Sequence, residues 1–215
     1  MERSSRVIAV VALCVAVVGL TLGFAAFSNT LTISSDANVT PDASTFNVDF
    51  SSSDSSLATD PIVPVKNPSS LVAGEGTINN TSNPTVSGLS ATFTKPGDKV
   101  TYTFYARNVG EYVAYLNSIN FNNVASGSTP KKCTAGEGST DALVQAACDD
   151  ITLSVKVGSE SETTGSLSSI SGHSLAKNAS EEIIVEIEYN AGGDRADGDF
   201  TVEFGDITLV YSSVD

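Results

Sequence analysis

The sequence predicts an all-β protein: an antiparallel, jelly-roll-like β-sandwich that follows an N-terminal signal helix and carries one short loop helix. Three observations support this fold class. Apolar and polar residues alternate in several short runs, turn-forming residues separate the runs, and one stretch beyond the apolar N-terminus has the pattern of a helix. Short strands at this spacing are typical of sandwiches and jelly rolls.

The N-terminus has the parts of a secretory signal. Residues 1–6 carry two arginines, residues 7–27 are free of charge, and small side chains end the run at Gly23-Phe24-Ala25-Ala26. We expect cleavage after Ala26, which makes Phe27 the first residue of an extracellular or cell-surface chain. The alternative is a retained anchor, because residues 7–27 are long enough to span a bilayer. Contact with a membrane is expected only in that case.

Three regions follow from this division: a signal at residues 1–26, an N-terminal strand and tether at residues 27–45, and a β-sandwich domain at residues 46–215. In the second region Phe27, Leu31 and Ile33 share one parity within a β-prone stretch. The residues after Ile33 are polar and rich in turn formers, which is typical of a tether.

The sandwich domain begins with alternation at residues 46–50. Residues 51–84 are rich in Ser, Asn, Pro and Gly, and we expect weak strands there at residues 62–65 and 71–73. A strand at residues 86–93 then leads into the turn Lys95-Pro96-Gly97-Asp98, where proline fixes φ and glycine supplies a positive φ.

The second half of the domain contains the clearest strand patterns. Alternation is cleanest at residues 100–107, and further strands are predicted at residues 113–121, 151–157, 183–189, 200–204 and 207–211. The one helix is predicted at residues 140–147, with Ser139 or Thr140 as its N-cap.

The charge balance excludes some functions. The chain has 25 acidic and 11 basic residues, a net charge of −14, and such a surface repels nucleic acid. One histidine and no tryptophan leave few residues for acid–base or metal chemistry. We therefore expect no nucleic-acid partner and no enzymatic activity.

Two cysteines remain after the signal, Cys133 and Cys148. An even pair in an exported domain predicts a disulfide, and two separately buried thiols are the alternative.

The run from Asp194 to Asp199 holds three carboxylates, at Asp194, Asp197 and Asp199. Clustered oxygen ligands suit Ca²⁺, while Asp197-Gly198 also fits a plain hairpin turn. The turn is the preferred interpretation, so we expect no cofactor.

Two stretches resemble the TasA/camelysin family, whose precursors are cut by a SipW-type signal peptidase. The signal ending Gly23-Phe24-Ala25-Ala26-Phe27-Ser28-Asn29 is similar to that of the family. So is the run from Phe93 through Lys95-Pro96-Gly97-Asp98 to Asn108-Val109-Gly110. The resemblance implies a jelly-roll-like subunit of biofilm-matrix fibres, in which the N-terminal strand of one subunit completes the sheet of the next.

Three classes of function compete. The first is a fibre or pilus-like subunit that binds copies of itself, with Phe27, Leu31 and Ile33 as the donated residues. Pairing of that strand within its own domain is equally open, and it favours a monomeric cell-surface adhesin or binding sandwich, which is the alternative. A secreted hydrolase is the least favoured class, since no His-Glu-x-x-His motif is present.

Overall fold

The structure is a computed structural model that describes residues 28–33, 46–81, 84–124, 128–136, 138–163, 169–193, 196–198 and 200–213. For residues 28–33 it describes the backbone. The predicted signal helix, its cleavage site at Ala26 and Phe27, and Asp194 and Asp199 lie outside the described residues.

The described residues form sixteen strands and one helix, which confirms the all-β class. The bounds are β1 Ser28–Ile33, β2 Val48–Ser51, β3 Val65–Asn67, β4 Val72–Ala73, β5 Thr77–Asn79, β6 Thr85–Ser87, β7 Ala91–Thr92, β8 Lys99–Asn108, β9 Ala114–Phe121, β10 Lys131–Ala135, α1 Asp141–Asp149, β11 Ile151–Val157, β12 Glu160–Thr163, β13 Ser174–Leu175, β14 Ser180–Tyr189, β15 Phe200–Phe204 and β16 Ile207–Ser212.

One sheet has the strand order β12-β11-β14-β8-β2, with β3 also paired to β8, and all of its pairings are antiparallel. We call it the long-strand sheet, because β8 and β14 each contain ten residues. Its alternating sequence buries every second side chain along β8, β11 and β14, as the period-two patterns predict.

The other large sheet has the order β13-β9-β16-β1-β6-β5. We call it the slot sheet, because β1 lies in a slot between β16 and β6. Here β1 is antiparallel to β16 and parallel to β6. The parallel pair is the exception among the described pairings.

The core contains buried side chains from both large sheets. Tyr102 and Phe104 of the long-strand sheet and Leu209 and Tyr211 of the slot sheet are fully buried. Phe104 makes an edge-to-face contact with Phe50, with ring centroids 5.4 Å apart. The arrangement is sandwich-like, and two short ribbons, β4 with β7 and β10 with β15, extend it.

Some elements differ from the sequence-based expectations. The predicted strand at residues 86–93 is wrong as one element: it is two strands, β6 and β7, separated by Gly88 at φ 81°. Of the weak strands, the first is displaced to β3, while Ile62 forms a single bridge with Gly76. The strands β5, β10, β12 and β13 were not predicted. The loop helix is confirmed, at Asp141–Asp149.

Candidate functional site

The slot that holds β1 is the feature of the molecule that bears most directly on the predicted function. Along one side, all six residues from Ser28 to Ile33 pair with β16, from Ser212 back to Ile207. On the other side, Thr32 and Ile33 pair with Thr85 and Val86 of β6. Without β1, the strands β16 and β6 would each present an open edge to the other.

The predicted donor residues fall at defined register positions in this slot. Leu31 lies opposite Leu209, and Ile33 lies opposite both Ile207 and Val86. Those three partners are buried. In the single chain, then, the predicted donor strand pairs within its own sheet, in register with buried residues of both neighbouring strands.

A polar network holds β16 from the core side. The Tyr211 hydroxyl donates to Glu181 Oε1 at 2.6 Å, and His173 Nε2 lies 2.5 Å from Glu181 Oε2. His173 Nδ1 lies 3.4 Å from Glu160 Oε1. Burial and the adjacent Glu181 carboxylate raise the pKa of Tyr211 well above its ordinary value of 10.0, so the phenol stays neutral and donates. Tyr211 is also the residue paired with Asn29 of β1.

Sequence reasoning missed this network, since it treated the single histidine as isolated. Its members come from four separate elements or loops, and only strand register brings them together. Glu181 lies two residues before the strand predicted at residues 183–189, and nothing in the sequence there indicated a buried contact.

The two motifs that carry the family resemblance have structural roles at the two ends of β8. At the first end, Asp98 Oδ2 accepts hydrogen bonds from Thr94 N–H, Thr94 Oγ1 and Lys95 N–H at 2.9–3.1 Å. Gly97 has φ 95° and donates its N–H to Tyr189 O at 2.6 Å. This turn therefore attaches to the end of β14.

At the other end of β8, Asn108 is fully buried and hydrogen-bonded through both side-chain atoms. Its Nδ2 donates to Tyr112 O at 2.7 Å and to Leu175 O at 2.9 Å, and its Oδ1 accepts from Gly110 N–H at 3.0 Å. The Asn-x-Gly motif thus joins β8 to β13 and to the loop before β9.

The predicted disulfide is present: Cys133 and Cys148 are bonded, with Cα atoms 5.9 Å apart. It joins β10 to the last turn of α1. Nearby, Lys131 Nζ donates to Cys148 O, a carbonyl at the C-terminus of α1, and to Ile151 O at the start of β11. Burial lowers the pKa of Lys131.

Of the calcium candidates, Asp197 lies within the described residues. Its carboxylate accepts from Thr140 N–H at 2.8 Å and from the Thr140 hydroxyl. Thr140 is the N-cap of α1 and makes no side-chain cap bond of its own. Asp197, from a distant loop, instead binds the backbone and the side chain of this N-cap residue. These hydrogen bonds lower the pKa of Asp197. Within the described part of the chain, no group of three or more His, Cys, Asp or Glu is arranged to hold a metal.

The described residues include no helix with the length and apolar character needed to cross a bilayer. Comparison of the chain with protein-family models, with curated proteins and with solved structures finds no match.

Proposed function

We propose that this chain is a secreted structural subunit of extracellular fibres or pilus-like filaments, such as those of a biofilm matrix. Its fold is a jelly-roll-like sandwich, and its subunits join when the N-terminal strand of one copy enters the slot of the next. The signal is cut between Ala26 and Phe27, and the mature protein acts outside the cell or at its surface.

The position of β1 carries the proposal. The strand precedes the rest of the described chain, yet it lies inside a sheet, between β16 and β6. Residues 34–45 alone connect it to the sandwich domain. The same backbone ladder and the same core-facing positions are available to a β1 from another copy, because the slot distinguishes strands by sequence and not by the chain that supplies them.

Donation of this kind is head-to-tail, so the contact does not close on itself and a filament grows. In each contact the strand edges of the slot would form backbone hydrogen bonds to the donated strand and would no longer be exposed to solvent. Burial of each large apolar side chain would contribute about 1.5–3 kcal/mol to the free energy of binding. The Cys133–Cys148 disulfide is consistent with export, since disulfides persist in oxidising compartments.

A monomeric cell-surface adhesin or binding sandwich, secreted or retained through residues 7–27, is the second candidate. One observation favours it: in the single chain, β1 completes its own sheet. Strand exchange reconciles this pairing with a fibre, because one slot can hold its own β1 in the monomer and a neighbour's β1 in the filament.

Electron microscopy of the mature protein, with residues 27–215, tests the proposal. We expect filaments from the wild type and none from the Leu31→Asp/Ile33→Asp variant, whose charges would lie opposite buried core residues. The matched control is Thr30→Asp/Thr32→Asp, on the other parity of the same strand, and it should still form filaments.

Filaments from the Leu31→Asp/Ile33→Asp variant would place the donor strand elsewhere. A wild type that stays monomeric at high concentration would favour the adhesin. N-terminal sequencing of secreted material checks the start at Phe27, and recovery from membranes with residues 1–26 intact would contradict it.

A further inference from the structure

The slot that holds β1 continues beyond Ile33 as an open groove of about 860 Å³. Two ribbons form its walls, β4–β7 on one side and β10–β15 on the other. Leu153, Ile187 and Tyr189 of the long-strand sheet form its floor. In the described part of the chain no strand lies in this groove.

The walls of the groove are continuations of the walls of the slot. On one wall, β15 leads through Gly205 and Asp206 into β16, so β15 lies directly before Ile207 in the chain. After β6 the chain passes Gly88 and enters β7. Among the described strands, β15 pairs with β10 alone and β7 pairs with β4 alone, so each has one edge that faces the groove.

The Tyr102 side chain fixes one of these walls. Its hydroxyl accepts from Ser90 N–H at 3.1 Å and lies 2.9 Å from Gly74 O. Tyr102 is fully buried in the floor sheet. The β7 edge is therefore held in place by the core, and the groove is a preformed feature.

Half-buried apolar side chains from both walls line the groove. They alternate with exposed polar residues along each wall: Leu89, Ala91 and Phe93 on the β7 side, and Phe200, Val202 and Phe204 on β15. Phe93 and Phe200 both contact Tyr189 edge-to-face, with centroids 6.3 Å apart. A strand inserted between the walls would bury this lining.

On both walls, the interior-facing residues switch once between even-numbered and odd-numbered positions, at the point where the slot continues into the groove. The interior positions are Val86, which is buried, and then half-buried Leu89 on one wall, and buried Ile207 and then half-buried Phe204 on the other. Each wall thus contains one extra residue, as at a β-bulge, and a regular guest strand stays in step with both.

The guest register follows from β1. We continue the register of β1 beyond Ile33 and leave out one residue on each wall for the bulge. A guest strand then has position 35 between Leu89 and Phe204. Its positions 37 and 39 follow between the next pairs, Ala91 with Val202 and Phe93 with Phe200. In this chain those positions are Ser35, Ala37 and Val39, which are small or apolar. The intervening positions are Ser34, Asp36 and Asn38, which are polar.

We propose that this groove is the second half of the acceptor slot and that it binds residues 34–39 of a neighbouring copy, as a continuation of the donated β1. The inference rests on the proposed function and extends it, because it makes the donated strand twice as long and gives its second half a binding site of its own.

Chain length argues for a neighbour as the source of this segment. Phe46 follows at the opposite end of the slot from Ile33: Asn47 O accepts from Gly110 N–H, near the start of β9. At that end Ser28 pairs with Ser212, which pairs with Tyr115 of β9. The chain that leaves Ile33 must therefore return along the whole length of β1, about 20 Å.

If residues 34–39 of the same chain filled the groove, they would add about 20 Å, and the return to Phe46 would be about 40 Å. The seven steps from residue 39 to Phe46 span at most about 25 Å. Residues 34–39 of a neighbouring copy have no such constraint, since the Phe46 to which they are connected lies in a different subunit.

Cross-linking between two chains, each with one added cysteine, tests the inference. One carries Ala37→Cys and the other Ala91→Cys, both in the mature protein with the native disulfide, and they are polymerised together with a short thiol-to-thiol cross-linker. We expect covalent dimers. The matched control replaces the acceptor chain by Thr103→Cys, an exposed position on the long-strand sheet, and should give none.

A second arm uses charge. Ala91→Asp places a carboxylate in the groove and should raise the concentration needed for assembly roughly tenfold or more. Thr92→Asp, at the exposed neighbouring position, should leave that concentration unchanged. Thermal unfolding of both monomers shows whether the fold is intact.

The outcomes separate the two proposals. Filaments without Ala37–Ala91 cross-links, together with normal assembly of Ala91→Asp, would overturn the longer strand and leave donation of β1 standing. A chain that carries both Ala37→Cys and Ala91→Cys, polymerised in the same way, tests the source of the segment: cross-links formed only within single chains would make the chain's own segment the occupant and would also overturn the longer strand. Absence of filaments from the wild type would overturn both proposals.

Discussion

The two large sheets of this protein are built differently. The long-strand sheet consists of strands that pair over up to nine residues and buries alternate side chains along its whole length. The slot sheet depends on β1, which reaches it through residues 34–45 and joins β6 through two register pairs. Both sheets contribute to the core, but under the proposed function only the slot sheet takes part in assembly. Variants can therefore affect stability and spare assembly.

The largest effect is expected from a core truncation in the long-strand sheet. Phe104→Ala removes a fully buried ring that packs against Phe50, and should lower the free energy of unfolding by about 3–5 kcal/mol. Denaturant unfolding measures this. Thr103→Ala, the exposed neighbour on β8, should change stability little. Equal losses from the two variants would contradict the assignment of the core.

Removal of the disulfide should have the next largest effect. The Cys133→Ala/Cys148→Ala variant opens a loop with a sequence separation of 15, which is worth about 3 kcal/mol in the chain-entropy model. Because neither cysteine is among the residues that line the groove, filaments should still form once the variant is folded. In the wild type, alkylation without reductant should add no mass at either cysteine. A variant as stable as the wild type would show that the bond does not restrain the unfolded chain.

Loss of the hydrogen bond between Tyr211 of the slot sheet and Glu181 of the long-strand sheet should have a smaller effect on stability. Tyr211→Phe removes the hydrogen bond to the Glu181 carboxylate and should cost about 1.5–3 kcal/mol, as for bonds to charged groups. Tyr115→Phe, on the adjacent strand β9, is the matched control and should be nearly neutral. If both variants unfold at the same denaturant concentration as the wild type, the network does not join the sheets energetically.

The smallest effect concerns Asp197 and the start of α1. Its pKa is lowered from 3.8, so its contribution to stability is present above that value and is lost as pH falls through the lower folded-state pKa. Asp197→Asn should therefore unfold at a lower temperature than the wild type at pH 6, and the difference should vanish well below pH 3.8. A temperature difference that is constant with pH would show that the carboxylate charge is not involved.

The sequence predicted the long-strand sheet better than the rest, for a physical reason. In β8, β11 and β14 one face is buried along the whole strand, so burial imposes a strict alternation that can be read directly. By contrast, β10 is a ribbon strand and β12 is the edge strand of the long-strand sheet, and neither contains a fully buried residue. The sequences of Lys131–Ala135 and Glu160–Thr163 therefore lack the alternation of apolar and polar residues.

Pairings between distant residues could not be predicted. Asp197 was considered as a calcium ligand, and its contact with Thr140 depends on a loop and a helix that are 57 residues apart. The His173 network and the groove beyond Ile33 likewise arise from strand register. The slot itself was only partly foreseen: parity identified Leu31 and Ile33, and the structure supplied their partners.

Strand complementation in solution tests the central claim most directly. A chain with residues 40–215 lacks the whole proposed donor and can be mixed with a labelled peptide of residues 27–39. The account predicts one-to-one binding and a higher unfolding temperature for the complex, and no binding by the same peptide with Leu31→Asp/Ile33→Asp. A shortened chain that is fully stable alone and ignores the wild-type peptide would contradict the account, as would one that stays unfolded in its presence.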